Sequence, residues 1–430
     1  MNSLIRYSIS ACAMGVGLAL AVNASAGQDA DKELLEVLLK KGTITQQEYN
    51  ELLKKTEDDV EVSTSGGRLR FKSSEAEFEV GGRLMVDTAH YYNNHDLNSG
   101  SEIRRARLFM SGKVYEDWNF KLQTDFAGNE VSLKDAYLRY TGLDYADITV
   151  GNFKEPWSLE ELTSSKYITF MERALPVEAF APSRRLGVGG HSHSKGGLSW
   201  NAGYGIFADT VDADNGNDNE GYGYAARLTV APIAEKNRVV HLGGYGEWRA
   251  PTDDEVRYRS RPESHIANVR LVDTGTIGNV DNTVKWGLEA AMVMGPFSLQ
   301  GEYMSVDNDV DGGSDPTFNG WYAYGSWFIT GESRTYKASS GTFDRVKPKS
   351  IVGKGGKGAW ELGARYSSLD LNDSGINGGE EEDLTIGLNW YATPTVRFMA
   401  NYIKVLDLKD PTTTDDSEPD VFQLRAQIDF

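Results

Sequence analysis

The stretch "QLRAQIDF" (residues 423–430) alternates without a break: Leu424, Ala426, Ile428 and Phe430 fall on one side, Gln423, Arg425, Gln427 and Asp429 on the other. A period of two belongs to a strand with two unlike faces. The same reading extends backwards through the chain. In "EFEVGGRLMVD", Phe78, Val80, Leu84 and Val86 oppose Glu79, Arg83 and Asp87. In "RRARLFMSGKV", Ala106, Leu108, Met110 and Val114 oppose Arg105, Arg107, Ser111 and Lys113. "WNFKLQTDF", "KWGLEAAM" and "AWELGARY" repeat the pattern.

Marking every such segment gives about sixteen strands, starting near residues 77, 103, 117, 132, 147, 186, 197, 221, 239, 283, 296, 320, 358, 381, 394 and 421. Tight turns such as "VYEDW" and "WYATPTV" join many pairs. Long polar connections, "ADTVDADNGNDNEG", "SVDNDVDGGSDP", "LDLNDSGINGGEEED" and "LDLKDPTTTDDSEPD", join the others. Short turns at one end and long loops at the other characterise an antiparallel transmembrane β-barrel, with periplasmic turns and extracellular loops. Aromatic pairs at strand ends (Tyr91 and Tyr92, Tyr137 and Tyr140, Trp321 and Tyr322, Trp390 and Tyr391) are placed for interfacial girdles. A secreted β-sandwich would alternate too, but its buried face would seldom be opposed by so many charges. The fold class is therefore all-β, a barrel of about sixteen strands, and Phe430 completes its last strand in the manner of the signal that barrel-assembly machinery reads.

Composition fits this reading. Hydrophobic content is 40 % and charged content 25 %, because only alternate strand residues meet lipid. The formal net charge of −19 argues against nucleic acid, which calls for a basic surface. Residues 1–26 read as a secretory signal: Arg6, an apolar run over 11–22, then Ala24-Ser25-Ala26. Cys12, the only cysteine, lies within it, so disulfides contribute nothing to the mature chain. Residues 27–60 read as a short periplasmic helical segment. Leu34, Leu35, Leu38 and Leu39 share a face, Gly42 ends one helix, and Thr45 with Glu48 caps the next. The segment is either a solvated tail or an association device. Residues 61–430 form the barrel.

The segment over about 154–185, between the fifth and sixth strands, differs from the other connections. Pro156 opens it and Ser158 with Glu161 forms a capping box. Trp157, Leu162, Tyr167, Ile168, Phe170 and Met171 are too apolar for an exposed loop, and Lys154, Lys166, Arg173, Arg184 and Arg185 accompany them. A loop folded into the lumen, apolar side against the wall and cations toward the channel, fits both facts. Without such a constriction a sixteen-stranded barrel stays open.

The run "ITVGNFKEPWSLEELTSSKYITFMERALP", with "RRARL", "DFAGN", "DAYLRY", "ITGESRTYK" and "RVKPKS", resembles the phosphate-selective porin O and P family over most of the mature chain. The resemblance implies a homotrimeric outer-membrane barrel of a Gram-negative bacterium, its third loop turned inward. Cationic, hydroxyl and acidic side chains would meet a small anionic solute there. The matching positions are Arg104 and Arg105 in the paired arginines, Asp135 in "DAYL", Ser164 and Ser165 in "TSS", and Arg173 in "MER". Arg107 on the wall and Lys166 on the loop join them as constriction residues. Guanidinium forks and hydroxyls are suitable donors to phosphate. Two features depart from the pattern. Glu160 and Glu161 stand where a lysine is expected, and Arg104 and Arg105 can both face the lumen only if a bulge intervenes.

The function expected is passive diffusion of small anions such as phosphate, with no cofactor, no metal and no covalent chemistry. The alternatives are a general or cation-preferring porin, for which Glu160, Glu161 and the acidic loops argue, and a surface barrel or adhesin plugged by its own loops. The acidic loops could also bridge through divalent cations to lipopolysaccharide. "DNDVDG" has only half of a calcium-loop pattern, with Phe318 where a carboxylate belongs, and His191 with His193 has no third ligand. Neither G-x-S-x-G nor a P-loop occurs.

Overall fold

The computed structural model describes residues 34–57, 60–65, 67–209 and 220–430. The signal sequence expected over 1–26 and the start of the helical segment lie outside the described residues. Sixteen antiparallel strands make the barrel. They are β1 (Ala76–Tyr92), β2 (Gly100–Val114), β3 (Trp118–Asp125), β4 (Ser132–Tyr140), β5 (Asp147–Lys154), β6 (Arg184–His193), β7 (Ser199–Ala208) and β8 (Tyr222–Ala234). β9 (Arg238–Ala250), β10 (Val280–Met294), β11 (Phe297–Val310), β12 (Thr317–Phe328), β13 (Ala359–Asp373), β14 (Ile376–Tyr391), β15 (Val396–Lys409) and β16 (Asp420–Asp429) complete the wall. Each of the sixteen strand starts read from alternation has its counterpart here.

β16 pairs with β1 from Asp420 opposite Tyr92 to Asp429 opposite Arg83, which closes the sheet and removes its edges. At the seam Phe430 N–H donates to the Gly82 carbonyl (3.0 Å) and Gly82 N–H to the Phe430 carbonyl (2.7 Å). Alternation sorts the two faces: Arg425 and Asp429 are each 2 % exposed, whereas Leu424 and Ile428 are 41 % and 42 % exposed and face outward. The outer face is apolar and the inner face charged, the arrangement a bilayer selects.

The aromatic girdles need correction. Neighbouring residues on a strand point to opposite faces, so one member of each pair is inside. Tyr92, Trp321 and Trp390 face out, while Tyr91, Tyr322 and Tyr391 are buried in the barrel.

N-terminal to the barrel, residues 34–40 form helix α1 and Gln46–Glu57 form α2. The capping box is present: Glu48 N–H donates to Thr45 Oγ1 (3.2 Å) and Thr45 N–H to Glu48 Oε2 (2.8 Å). A hairpin of Glu61–Ser65 and Arg68–Lys72 follows, its second strand pairing with the start of β1.

Besides the connection over 251–279, whose Glu263 lies 2.5 Å from Arg365 and accepts from Ser367 Oγ (2.6 Å) inside the barrel, two connections enter the lumen. The third long loop, residues 155–183 between β5 and β6, carries two short helices, α3 (Leu159–Leu162) and α4 (Leu175–Phe180). The other enters from the opposite end. Residues 329–358, between β12 and β13, were expected among the short turns, yet they carry an internal hairpin of Thr335–Lys337 and Thr342–Asp344. Its apolar side chains reach the wall and the third loop, since Phe343 and Tyr336 pack with Leu159, Val239, Ala291 and Val293. The asymmetry of short turns and long loops thus has an exception at that end, and one at the other: "LDLNDSGINGGEEED", read as a long loop, is a tight turn at Ser374–Gly375 between β13 and β14. The polar run "SRTYKASSGTFDR" conceals a hairpin whose two aromatics supply the apolar contact.

Candidate functional site: a lumen narrowed from both ends

The third loop is laid against one half of the barrel. Its entry is fixed by Glu302 on β11, which accepts from Ser158 Oγ (3.1 Å), Leu159 N–H (3.1 Å), Glu160 N–H (2.8 Å), Tyr245 Oη (2.8 Å) and Tyr322 Oη (2.7 Å). Trp157 packs on Tyr245, with ring centroids 4.5 Å apart, and Phe170 meets Tyr324 edge-on at 5.3 Å. The next stretch, 163–174, runs in turns and bends with neither helix nor strand, so its carbonyls need donors. Inward side chains of β13–β16 supply them: Arg365 to Glu172 O (3.2 Å), Arg425 to Met171 O, Arg397 to Ile168 O (2.7 Å) and Thr169 O (3.0 Å), and Gln427 to Lys166 O (3.2 Å). Arg365, Arg425 and Gln427 were legible as lumen-facing positions and Arg397 was not read; the targets of all four depend on strand register and were not legible.

The two glutamates that stood against an anion site are occupied. Glu160 accepts from Ala174 N–H (3.0 Å) and lies 3.3 Å from Arg365. Glu161 pairs with Arg173 (2.9 Å) and Lys154 (2.8 Å), and its N–H donates to Ser158 Oγ (3.1 Å), the capping box read from the sequence. Burial raises the Glu160 carboxyl above its usual range. Burial also opposes ionisation of Glu161, but Arg173 and Lys154 outweigh it and leave that carboxyl below the usual range. Within a low-dielectric lumen these pairs bind the loop's charges to one another and reduce what a passing ion meets.

The opposite wall, β1–β6, faces the loop across the remaining space. The β1–β2 register slips between Met85 and Val86, which pair with Arg105 and Ile103, leaving Arg104 as the extra residue of a bulge. Ile103 therefore faces out while Arg104 and Arg105 both face in. Arg104 forks onto Glu172 of the loop (2.8 and 2.9 Å). Arg105 is 4 % exposed, 3.7 Å from Glu172 and 3.5 Å from Met85 Sδ, and its Nε has no hydrogen-bond partner. Arg107 pairs with Asp125 (2.6 Å), and Asp135 bridges Lys121 and Arg184, each at 2.5 Å. Ser165 accepts from Arg83 Nη1 (2.7 Å), whose Nε is likewise unpartnered. Ser164 is half-buried and accepts from Lys166 N–H (3.4 Å). Lys166 Nζ lies 3.7 Å from Asp429 and 5.2 Å from the Tyr167 ring centroid, and burial pushes its ammonium down to about 8.

All eight residues expected at the constriction thus lie on the loop or on the wall that faces it. Their roles divide. Arg104, Arg107, Asp135 and Arg173 are tied up in ion pairs; Arg105, Ser165, Ser164 and Lys166 retain donor capacity. The sequence reading did not place Arg83, Lys121 and Glu172 at the constriction, and named Arg184 only among the cations of the loop segment. Arg83 was visible as a charged inward position in "GGRLM", without any sign that it stands level with Ser165.

Two further spaces flank this level. A cavity of about 370 Å³ toward the turn end is lined by Arg139, Lys154, Ser164, His191, Lys337 and Thr342 among others. A cleft of about 680 Å³ at the loop end is lined by Arg257, Arg259, Arg270 and Thr412–Thr414 among others. Its arginines come from the connection over 251–279, "VRYRSRPESHIANVR", which the sequence reading passed over. Arg257 forks onto Asp273 (2.7 and 2.6 Å), while Arg270 Nε is buried without a partner. Among the described residues no group of three or more His, Cys, Asp or Glu is placed to hold a metal ion.

A closed sixteen-stranded barrel with a charged lumen and an inward third loop is the architecture of a porin. The sequence pattern of the phosphate-selective porin O and P family matches residues 78–430, and the chain belongs to that family of outer-membrane channels. It is 34 % identical over 384 residues to a protein of Caulobacter vibrioides, covering 85 % of this chain and 76 % of that one. It is 28 % identical over 412 residues to Porin O of Pseudomonas aeruginosa, covering 86 % and 93 %. Among solved structures, the anion-selective porin from Comamonas acidovorans has the same fold (TM-score 0.51, 13 % identity, 83 % of this chain and 100 % of that one). So does the trimer form of Vibrio cholerae OmpT (TM-score 0.51, 13 % identity, 83 % and 100 %).

Proposed function

We propose that this porin passes small anions of the phosphate class, and that Arg83 and Arg105 with Ser164, Ser165 and Lys166 form its selective contact. The observation that carries this reading is the state of Arg83 and Arg105. Both are buried guanidiniums on the wall opposite the loop, and each keeps an Nε without a partner while neighbouring arginines are paired. Arg83 has only the Ser165 hydroxyl, and Arg105 shares Glu172 at 3.7 Å with the better-placed Arg104; a buried cation so weakly compensated is costly, and an oxyanion in transit is a fitting partner because it accepts from guanidinium and hydroxyl donors together. Arg104, Arg107, Asp135 and Arg173 hold these groups in place through their pairs. The arginines over 257–270 would gather anions at the mouth and offset the acidic loops around it. Several weak sites along the path allow entry without capture. The family name and the anion selectivity of the Comamonas acidovorans relative point the same way, and the OmpT trimer supports a homotrimer.

The test is a planar bilayer with a potassium chloride gradient, followed by added phosphate. A chloride-selective reversal potential with phosphate block, weakened in Arg105→Ala, supports the proposal. A cation-selective potential indifferent to phosphate would move the assignment to a general or cation-preferring porin governed by the acidic loops.

A further inference from the structure

The lumen of this protein is a dense lattice of ion pairs, but one run of cations stands apart. "RVKPKSIVGKGGKG" (345–358) contains no acidic residue. Arg345 pairs with Asp429, whereas Lys347, Lys349, Lys354 and Lys357 are exposed and, among the described residues, none of their ammonium groups is in an ion pair; Lys349 is the one held locally, its N–H donating to Glu332 Oε1 (2.9 Å) and its Nζ to Gly331 O.

The position of the run is defined by the outer aromatic surface. Trp390 Nε1 donates to the Lys357 carbonyl (2.9 Å), and Val352 N–H donates to the Ala392 carbonyl (2.9 Å). Trp390 stacks on Trp360 (5.6 Å) and on Phe398 (5.4 Å), all on the lipid side of β13–β15. Gly358 permits the close approach: its φ is +76°, and a Cβ there would meet Tyr391 O at 2.4 Å and Trp390 Nε1 at 2.8 Å. Ile329 and Val352, 50 % and 40 % exposed, add apolar surface to the same rim. Stacked indoles mark the level of the headgroups, and the turn end of an outer-membrane barrel is periplasmic.

We propose that this lysine loop binds anionic phospholipid headgroups of the periplasmic leaflet, with Trp360 and Trp390 seated at the interface beneath it. Charge complementarity selects this occupant: lysines at headgroup depth attract anionic lipid, each one strengthening the preference about fivefold. Lys347, Lys354 and Lys357 are point charges on flexible stems and in no ion pair among the described residues, which suits a fluid partner.

The test uses the purified full-length protein in vesicles of equal phosphatidylglycerol and phosphatidylcholine, with one lipid or the other brominated on its acyl chains. Tryptophan fluorescence of the wild type should be quenched more by brominated phosphatidylglycerol. Lys354→Gln combined with Lys357→Gln should lower that preference by more than tenfold, on the basis of about fivefold per lysine. Heat-resistant mobility on gels verifies that the barrel is intact. In a planar bilayer the same variant should keep the wild-type response to inorganic phosphate. Equal quenching by both lipids in the wild type overturns the proposal. So does a variant that keeps its lipid preference but needs more phosphate for block, since the lysines would then serve the permeating ion.

Discussion

The two halves of this barrel do different work with the same residue types. Along β9–β16, strands of 10 to 16 residues carry inward arginines whose targets are the third loop: its carbonyls, its carboxylates and its entry turn. Along β1–β6, strands of 8 to 17 residues carry the cations of the wall that faces the loop, Arg83 and Arg105 among them. An arginine is thus a structural clamp on one side and, on the other, the contact we propose for solute. The difference lies in whether a partner stands opposite, not in the side chain. Charge counting along the sequence would mislead here, because most of the lumen's charge is already neutralised internally.

The sharpest way to break this comparison is to remove the clamp. Glu302→Ala leaves several buried donors without their acceptor, and at about 1–3 kcal/mol for each stranded group the cost is on the order of 5 kcal/mol. We expect a lower unfolding temperature and larger, noisier single-channel currents; unchanged currents would mean that the loop is held by something else. Next in size, Arg105→Ala or Arg83→Ala should raise the phosphate concentration that half-blocks current by about tenfold or more, since a hydrogen bond to a charged group contributes roughly 1.5–3 kcal/mol. Arg397→Gln, on the clamping half, should alter stability and leave block close to wild type. Smaller again, Glu161→Gln frees Arg173 and Lys154 from their shared counter-ion. The reversal potential should move toward stronger anion preference. The smallest effect concerns pH. With its ammonium lowered to about 8 by burial, Lys166 is charged at pH 7 and largely neutral at pH 9.5. Anion preference should therefore decline across that interval, and Lys166→Arg should hold it constant.

What could be read in advance follows the same division. A period of two reveals which face a residue occupies, so all sixteen strands and the inward character of Arg83, Arg105 and Arg425 were legible. It does not reveal height along the barrel, which depends on the stagger between neighbouring strands. That is why Arg83 opposite Ser165, or Glu302 beneath the loop's first turn, could not be foreseen. The bulge at Arg104 was legible as a requirement, because two adjacent inward arginines demand an extra residue. The hairpin within 329–358 left no such mark. Its strands are three residues each, too short for alternation to register.

The last strand ties closure of the barrel to its contents. β16 is the seam partner of β1, yet its inward side chains also reach both inserted segments. Arg425 and Gln427 hold the third loop, and Asp429 meets Lys166 of that loop and Arg345 beyond the hairpin. These side chains find all their partners only when both inserts are inside. Closure is therefore most favourable around a filled lumen. A chain whose loop or hairpin had stayed outside would bring Arg425, Gln427 and Asp429 to the seam without partners, and would close less favourably. The eight residues with which the sequence ends are at once the zip of the cylinder and the check that it has been filled.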